Sequence, residues 1–125
     1  MPETSPAVLT SLELAQRCAE FALDKKAIDP IILDLRKVSS IADYMVICSA
    51  QSEPQIKAIA NGVEKSLKDD FERRSHAVDG FPASQWIVID YGDVMLHIFH
   101  EHKRSVYALE DLWSDAPQVK IVHSS

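Results

Sequence analysis

Glycine is scarce in this chain: three residues in 125, at positions 62, 80 and 92. A loop that cradles phosphates needs a glycine cluster, so the common nucleotide-binding loops are excluded. The G-x-S-x-G turn of a hydrolase nucleophile is absent as well. Cysteine is also sparse. Cys18 falls in a helix-like stretch and Cys48 in an apolar, strand-like run, and neither has a metal-binding spacing. Two buried, reduced thiols are expected, with a disulfide between them as the alternative. No apolar run approaches the roughly 20 residues that cross a bilayer. The opening MPETSPAVLT has neither the basic and apolar regions of a signal peptide nor the arginines of a transit peptide, so a cytoplasmic location is expected. A basic patch is missing too. The net charge is −6 and the lysines and arginines are scattered among acids. Nonspecific nucleic-acid binding leaves the opposite footprint, whereas a basic protein partner suits an acidic surface.

What remains is ordinary globular composition, 46% hydrophobic and 26% charged, in a length that suits one domain. Thr10-Ser11-Leu12-Glu13 has the form of a capping box and predicts a helix to about Lys25. After the break at Asp29-Pro30, residues 31–35 read as a short buried strand. Residues 43–49 are apolar almost throughout, as a central strand covered on both faces would be. Ser52-Glu53-Pro54-Gln55 starts a second helix, with Ile56, Ile59, Val63, Leu67 and Phe71 on one stripe to about Arg74. Residues 76–80 form a candidate edge strand and 81–85 a loop. Strands at 86–90 and 93–99 then make a hairpin through Tyr91-Gly92. A last helix is predicted over 103–113, with Val106, Leu109 and Trp113 inward. The expected layout is a tail over 1–10, one domain over 11–114 and a loose or weakly docked tail over 115–125. The element order argues for an α/β fold, with a mixed sheet covered by helices and part of one face open.

With a two-residue turn at Tyr91-Gly92, Asp90 faces Asp93 and Trp86 faces His97. Alternation then puts Ile87, Ile89, Val94, Leu96 and Ile98 on one aliphatic face. The other face carries Trp86, Val88, Met95, His97 and Phe99, with Asp90 and Asp93 at the tip. Large, polarizable side chains of this kind suit a contact surface. The plain alternative is that a helix covers this face and makes Trp86 and Phe99 ordinary core. The two acids either hold the turn by accepting local backbone N–H groups or serve a metal.

Tests for chemistry fail one after another. His97, His100 and His102 invite comparison with a metal cluster, yet His97 and His102 point apart along one strand and no HExxH or Cys–His spacing supports them. A metal-dependent nucleotidyltransferase using Asp43, Asp90 and Asp93 is the enzymatic rival. Two acids three residues apart across a turn, without a Gly-Ser pair, do not complete such a site. No catalytic residue, cofactor or metal is therefore assigned.

Two ordered blocks carry a family resemblance. One is Ser39-Ser40-Ile41-Ala42-Asp43-Tyr44-Met45-Val46-Ile47-Cys48. The other is Trp86-x-x-x-Asp90-x-Gly92-Asp93, followed by His97-x-Phe99-x-Glu101-x-x-Arg104-x-x-Tyr107-x-Leu109-Glu110-x-Leu112-Trp113. Together they resemble the ribosomal silencing factor family (RsfS, also called Iojap) over nearly everything from Leu12 to Trp113. The resemblance implies a nucleotidyltransferase-like topology in a family not known for enzymes. It implies binding to the large ribosomal subunit through its universal ribosomal protein fourteen, which blocks joining of the small subunit and lowers translation. It also implies a capacity to form homodimers, with no sequence-specific nucleic-acid contact and no membrane. Trp86 matches the family tryptophan expected at the contact surface, and Asp90, Asp93, His97, Glu101, Arg104 and Tyr107 match further motif positions. Glu101, Arg104 and Tyr107 serve either the contact or a polar network that docks the last helix.

Overall fold

Thr10 opens the first helix by the reciprocal bonds its spacing predicts. Its hydroxyl accepts the Glu13 N–H at 3.1 Å, and its own N–H donates to the Glu13 carboxylate at 2.9 Å. The computed structural model describes residues 8–81 and 85–122, with the side chains of Phe81 and Tyr107 outside that description. The chain runs α1 (Ser11–Asp24), β1 (Ile28–Asp34), β2 (Tyr44–Ala50), α2 (Glu53–Phe71), β3 (Ala77–Phe81), β4 (Trp86–Asp90), β5 (Val94–His100), α3 (Glu101–Tyr107), α4 (Leu109–Leu112) and β6 (Gln118–Val119). Most of the loop expected over 81–85 lies outside the described residues.

The strands form one six-stranded sheet in the order β3-β4-β5-β2-β1-β6. Central β2 and β5 are parallel, and the other pairings are antiparallel. Every residue of β2 is buried, as its unbroken apolar run predicts. Helices α1 and α2 pack on one face, where Leu14, Cys18, Ile59, Val63 and Leu67 meet Val46, Ile89, Leu96 and Ile98. The opposite face has a smaller core of Leu33, Leu35, Met45, Ile47, Phe99 and Ala116, covered in part by Leu109 and Trp113. Both cysteines are free and buried, and burial pushes their thiols up, Cys48 to about 12.

Three local expectations need correction, and the two alternatives for the C-terminal segment are resolved. Strand β1 begins at Ile28, because Asp29, at φ 47°, and Pro30 form a bulge and do not end the strand. Helix α2 stops at Phe71, short of Arg74, because Glu72 turns left-handed at φ 52°. The last helix is broken in two by Ala108, also left-handed at φ 48°, so Val106 does not point inward and is 68% exposed. The C-terminal segment docks: β6 pairs with β1, and Gln16 fastens it through Lys120 O and Val122 N, each at 2.8 Å.

The hairpin turn sits one residue later than predicted. Tyr91 faces Val94 through a 2.9 Å bond, leaving Gly92 and Asp93 as the turn. This puts Tyr91, which is fully buried, on the helix-covered face, whereas a Tyr91-Gly92 turn would leave its ring at the tip. Gly92 adopts φ +91°, and a Cβ there would come within 2.8 Å of the His76 ring. Pairing therefore shifts by two positions, an even number, so each residue keeps its face while its partner changes. Trp86 stands opposite Phe99, and Asp90 opposite Met95.

The Tyr91 hydroxyl is buried without a hydrogen-bond partner among the described residues. An unpaired buried hydroxyl costs about 1–3 kcal/mol. Tyr91→Phe should therefore leave stability unchanged or raise it by about 1 kcal/mol in chemical denaturation. A loss larger than that would show that the hydroxyl has a partner.

Candidate functional site

The face away from α1 and α2 is laid out in rows by the strand registers. One row crosses Leu33, Met45, Met95, Asp90 and Ala77; the next crosses Ile31, Ile47, His97, Val88 and Asp79; the third crosses Ser49, Phe99 and Trp86. The α4 segment covers the β1–β2 side of these rows, through Leu109, Trp113 and Ala116. Cover thins toward β3 and β4: Met95, Asp90 and Trp86 are half-buried, and Ala77 and Asp79 are exposed. At the same end, the β1–β2 loop carries exposed Val38 and Ile41. Asp93 O ties that loop in by accepting Asp43 N–H at 2.8 Å and Tyr44 N–H at 3.2 Å.

Trp86 stands on a pile of rings. Phe99 stacks against it at 4.9 Å between centroids, and His97 lies 5.7 Å away. The indole N–H donates to His97 Nδ1 at 3.1 Å. Phe99 is wholly buried and His97 is 5% exposed, so these two form the floor while Trp86 and Met95 reach the surface. Burial holds the His97 imidazole at about 4, below its usual value, so the ring is neutral.

The acids at the hairpin tip do not oppose each other. Asp90 accepts the Gly92 N–H at 2.7 Å, a local turn bond of the kind its spacing suggests. Asp93 instead accepts from Arg73 Nη2 at 2.9 Å, and the same nitrogen donates to Tyr91 O at 2.7 Å. Nothing in the sequence singles out Arg73, which follows the left-handed Glu72 and reaches the tip from the end of α2. Among the described residues, no three His, Cys, Asp or Glu side chains stand where they could hold a metal ion.

Arg104 turns inward. Its Nη1 donates to Asp29 O at 2.7 Å, Ser49 Oγ at 3.1 Å and Ile28 O at 3.3 Å, while Nε and Nη2 grip the Glu110 carboxylate at 3.1 and 3.2 Å. The carbonyls it meets are those set free by the β1 bulge. One side chain thus ties α3 to β1, β2 and α4, and it is only 12% exposed. Glu101 is exposed in the first turn of α3, and the Tyr107 side chain lies outside the described residues. His100 caps α3 by accepting the His102 N–H at 3.1 Å, and the two rings stack at 5.0 Å.

The mixed α/β fold is shared with solved proteins. A crystal structure from Chromobacterium violaceum matches with a TM-score of 0.80 at 28% identity, covering 93% of this chain and 95% of that one. One from Bacillus halodurans matches at 0.74 and 34%, covering 87% and 98%. Residues 8–125 match the family model described as ribosomal silencing factor during starvation, RsfS, and the chain belongs to that family. The ribosomal silencing factor RsfS of Halalkalibacterium halodurans is 36% identical over 90% of this chain and 96% of its own length. That of Bacillus subtilis is 42% identical over 75% and 79%. The chloroplastic Iojap protein of Arabidopsis thaliana is 32% identical over 89% of this chain and 46% of its own length.

Two outcomes follow from this geometry. Arg104→Met strands Glu110, Ser49 and two carbonyls, and should cost about 2–3 kcal/mol in chemical denaturation, with no rescue by lysine, which lacks the fork; a loss below about 0.5 kcal/mol would contradict the network. For His97, the folded value of about 4 lies below the unfolded 6.5, so the unfolded chain takes up the proton first. Its contribution is complete above pH 6.5 and is lost as pH falls toward 4, by roughly 1.4 kcal/mol per unit at most. Denaturation of wild type and His97→Phe across that window should show the wild type losing more stability; parallel curves would contradict the burial of a neutral imidazole.

Proposed function

We propose that this chain binds the large ribosomal subunit with the β4–β5 side of the sheet face opposite α1 and α2 and, by its bulk, blocks joining of the small subunit. The observation that carries the reading is the half-buried Trp86, backed by buried Phe99 and His97 on the face opposite α1 and α2. Rigid aromatics on a preformed floor make good anchors, because little conformational freedom is lost when they are buried by a partner. Along the same strands lie Met95 and Asp90, with Asp93 at the hairpin tip and Asp79 on β3, and the β1–β2 loop tied to that tip carries apolar Val38 and Ile41. Acids on this rim suit a basic ribosomal protein and favour a fast, salt-sensitive encounter. The universal large-subunit ribosomal protein fourteen is the proposed partner, and the cytoplasm the proposed location. The relatives named ribosomal silencing factor support the ribosome as target.

Within this reading the nine candidate residues take different roles. Trp86, Met95, Asp90 and Asp93 meet the partner, His97 and Phe99 support Trp86 from below, and Arg104 holds the scaffold. Glu101 and Tyr107 are assigned to the edge of the contact. No catalytic step is required of any of them.

Trp86→Ala tests the reading. Loss of a central aromatic anchor costs about 2 kcal/mol or more, roughly a thirtyfold drop in affinity. The variant should keep its fold by circular dichroism and fail to co-sediment with purified large subunits at protein concentrations where the wild type saturates them. Undiminished co-sedimentation of the folded variant would refute the proposal.

A further inference from the structure

The His97 ring is an expensive choice for its position. The side chain is 5% exposed, and Nε2 has no hydrogen-bond partner among the described residues. Because Nδ1 accepts from Trp86, the ring proton must sit on Nε2, which is therefore a buried, unpaired donor. A phenyl ring of similar shape would remove that penalty and stack as well on Phe99, whose ring lies 6.3 Å away at 11°. Packing and stability alone thus favour an apolar residue. What only an acceptor can do here is hold the Trp86 indole.

The registers show how specific that hold is. The residue directly opposite Trp86 is Phe99, and the one opposite His97 is Val88. The indole therefore reaches diagonally across two strands to find Nδ1. Stacking on Phe99 orients the plane of the indole. A directional N–H···N bond of 3.1 Å sets the direction of its N–H within that plane.

We propose that His97 is a positioning residue for the contact surface: by accepting the Trp86 N–H at Nδ1 it fixes the angle at which the indole is offered, and it presents that indole to the partner as a purely apolar plate. This rests on the reading of Trp86 as the anchor. A consequence for the partner follows. Since the indole N–H is already satisfied, the surface that receives Trp86 needs no hydrogen-bond acceptor and is built of aliphatic groups, among which the stems of basic residues qualify. The unpaired Nε2–H is the cost in stability of this arrangement.

The test separates positioning from packing, because the two predict opposite signs for stability and binding. Three variants, His97→Phe, His97→Asn and Trp86→Ala, are compared with wild type by denaturation, by ¹⁵N NMR of the two indole N–H groups, and by affinity for purified large ribosomal subunits. Trp113→Phe assigns the indole signals. His97→Phe should be at least as stable as wild type at neutral pH, lose the hydrogen-bonded shift of the Trp86 indole, and bind about five- to tenfold more weakly. His97→Asn, whose Oδ1 falls near the place of Nδ1, should recover part of the indole shift and part of the affinity despite poorer packing. His97→Leu serves as the acceptor-free variant should the phenyl variant fail to fold. Wild-type affinity in a folded acceptor-free variant, with Trp86→Ala still defective, would overturn the positioning role and leave the functional reading intact. Wild-type affinity in Trp86→Ala would overturn both.

Discussion

A sheet has two faces to keep from water, and the two long helices of this chain both go to the same one. α1 and α2 together close the face that carries Val46, Ile89, Leu96 and Ile98. The second face is left to α4, Trp113 and Ala116, which reach Leu33, Leu35, Met45, Ile47 and Phe99 but little beyond. The β3–β4 side of that face keeps its aromatic and acidic residues near solvent because, among the described residues, no further helix lies over it. The proposed contact surface is thus a consequence of where cover thins, and the cover itself is held by Arg104, which fastens the broken last helix to β1 and β2.

Polar residues of the C-terminal motif are sorted by that same geometry. Arg104 is consumed by internal partners, and the Asp93 carboxylate is shared with Arg73. Asp90 closes its own turn. None of these bonds removes the negative field from the hairpin tip, since the acids remain half-buried and only Asp93 among the tip acids has a cation at bonding distance. Structural use and electrostatic attraction of a basic partner are compatible in these residues, whereas in His97 the two pull apart: the neutral, buried ring weakens the fold so that Trp86 can be held.

Much of this was legible in the residues themselves. Capping at Thr10 and Ser52, the unbroken apolar run of β2 and the alternation in β4 and β5 are local signals, and each produced the element it implies. Which hairpin residues share a face was readable even with the turn misplaced by one, because the resulting shift in pairing is even. What stayed hidden depends on distant parts of the chain. The bulge at Asp29 makes sense only beside Arg104, 75 residues away. The left-handed turns at Glu72 and Ala108 fall on residues with no preference for that conformation. Arg73 reaches Asp93 only once α2 has packed. The bond between Trp86 and His97 required the true register, since directly opposed residues would have suggested a stack and nothing more.

The central claim is that the grip lies on the β4–β5 side of the sheet face opposite α1 and α2. Hydroxyl-radical footprinting of the chain, alone and bound to purified large ribosomal subunits, tests it directly, because the molecule carries its own controls. Trp86 and Met95 mark the proposed surface, and Phe21 and Phe71, partly buried beside the helical core, mark the other side. The account predicts that oxidation of Trp86 and Met95 falls on binding while Phe21 and Phe71 are modified as before. Protection of Phe21 and Phe71, with Trp86 and Met95 unchanged, would contradict it.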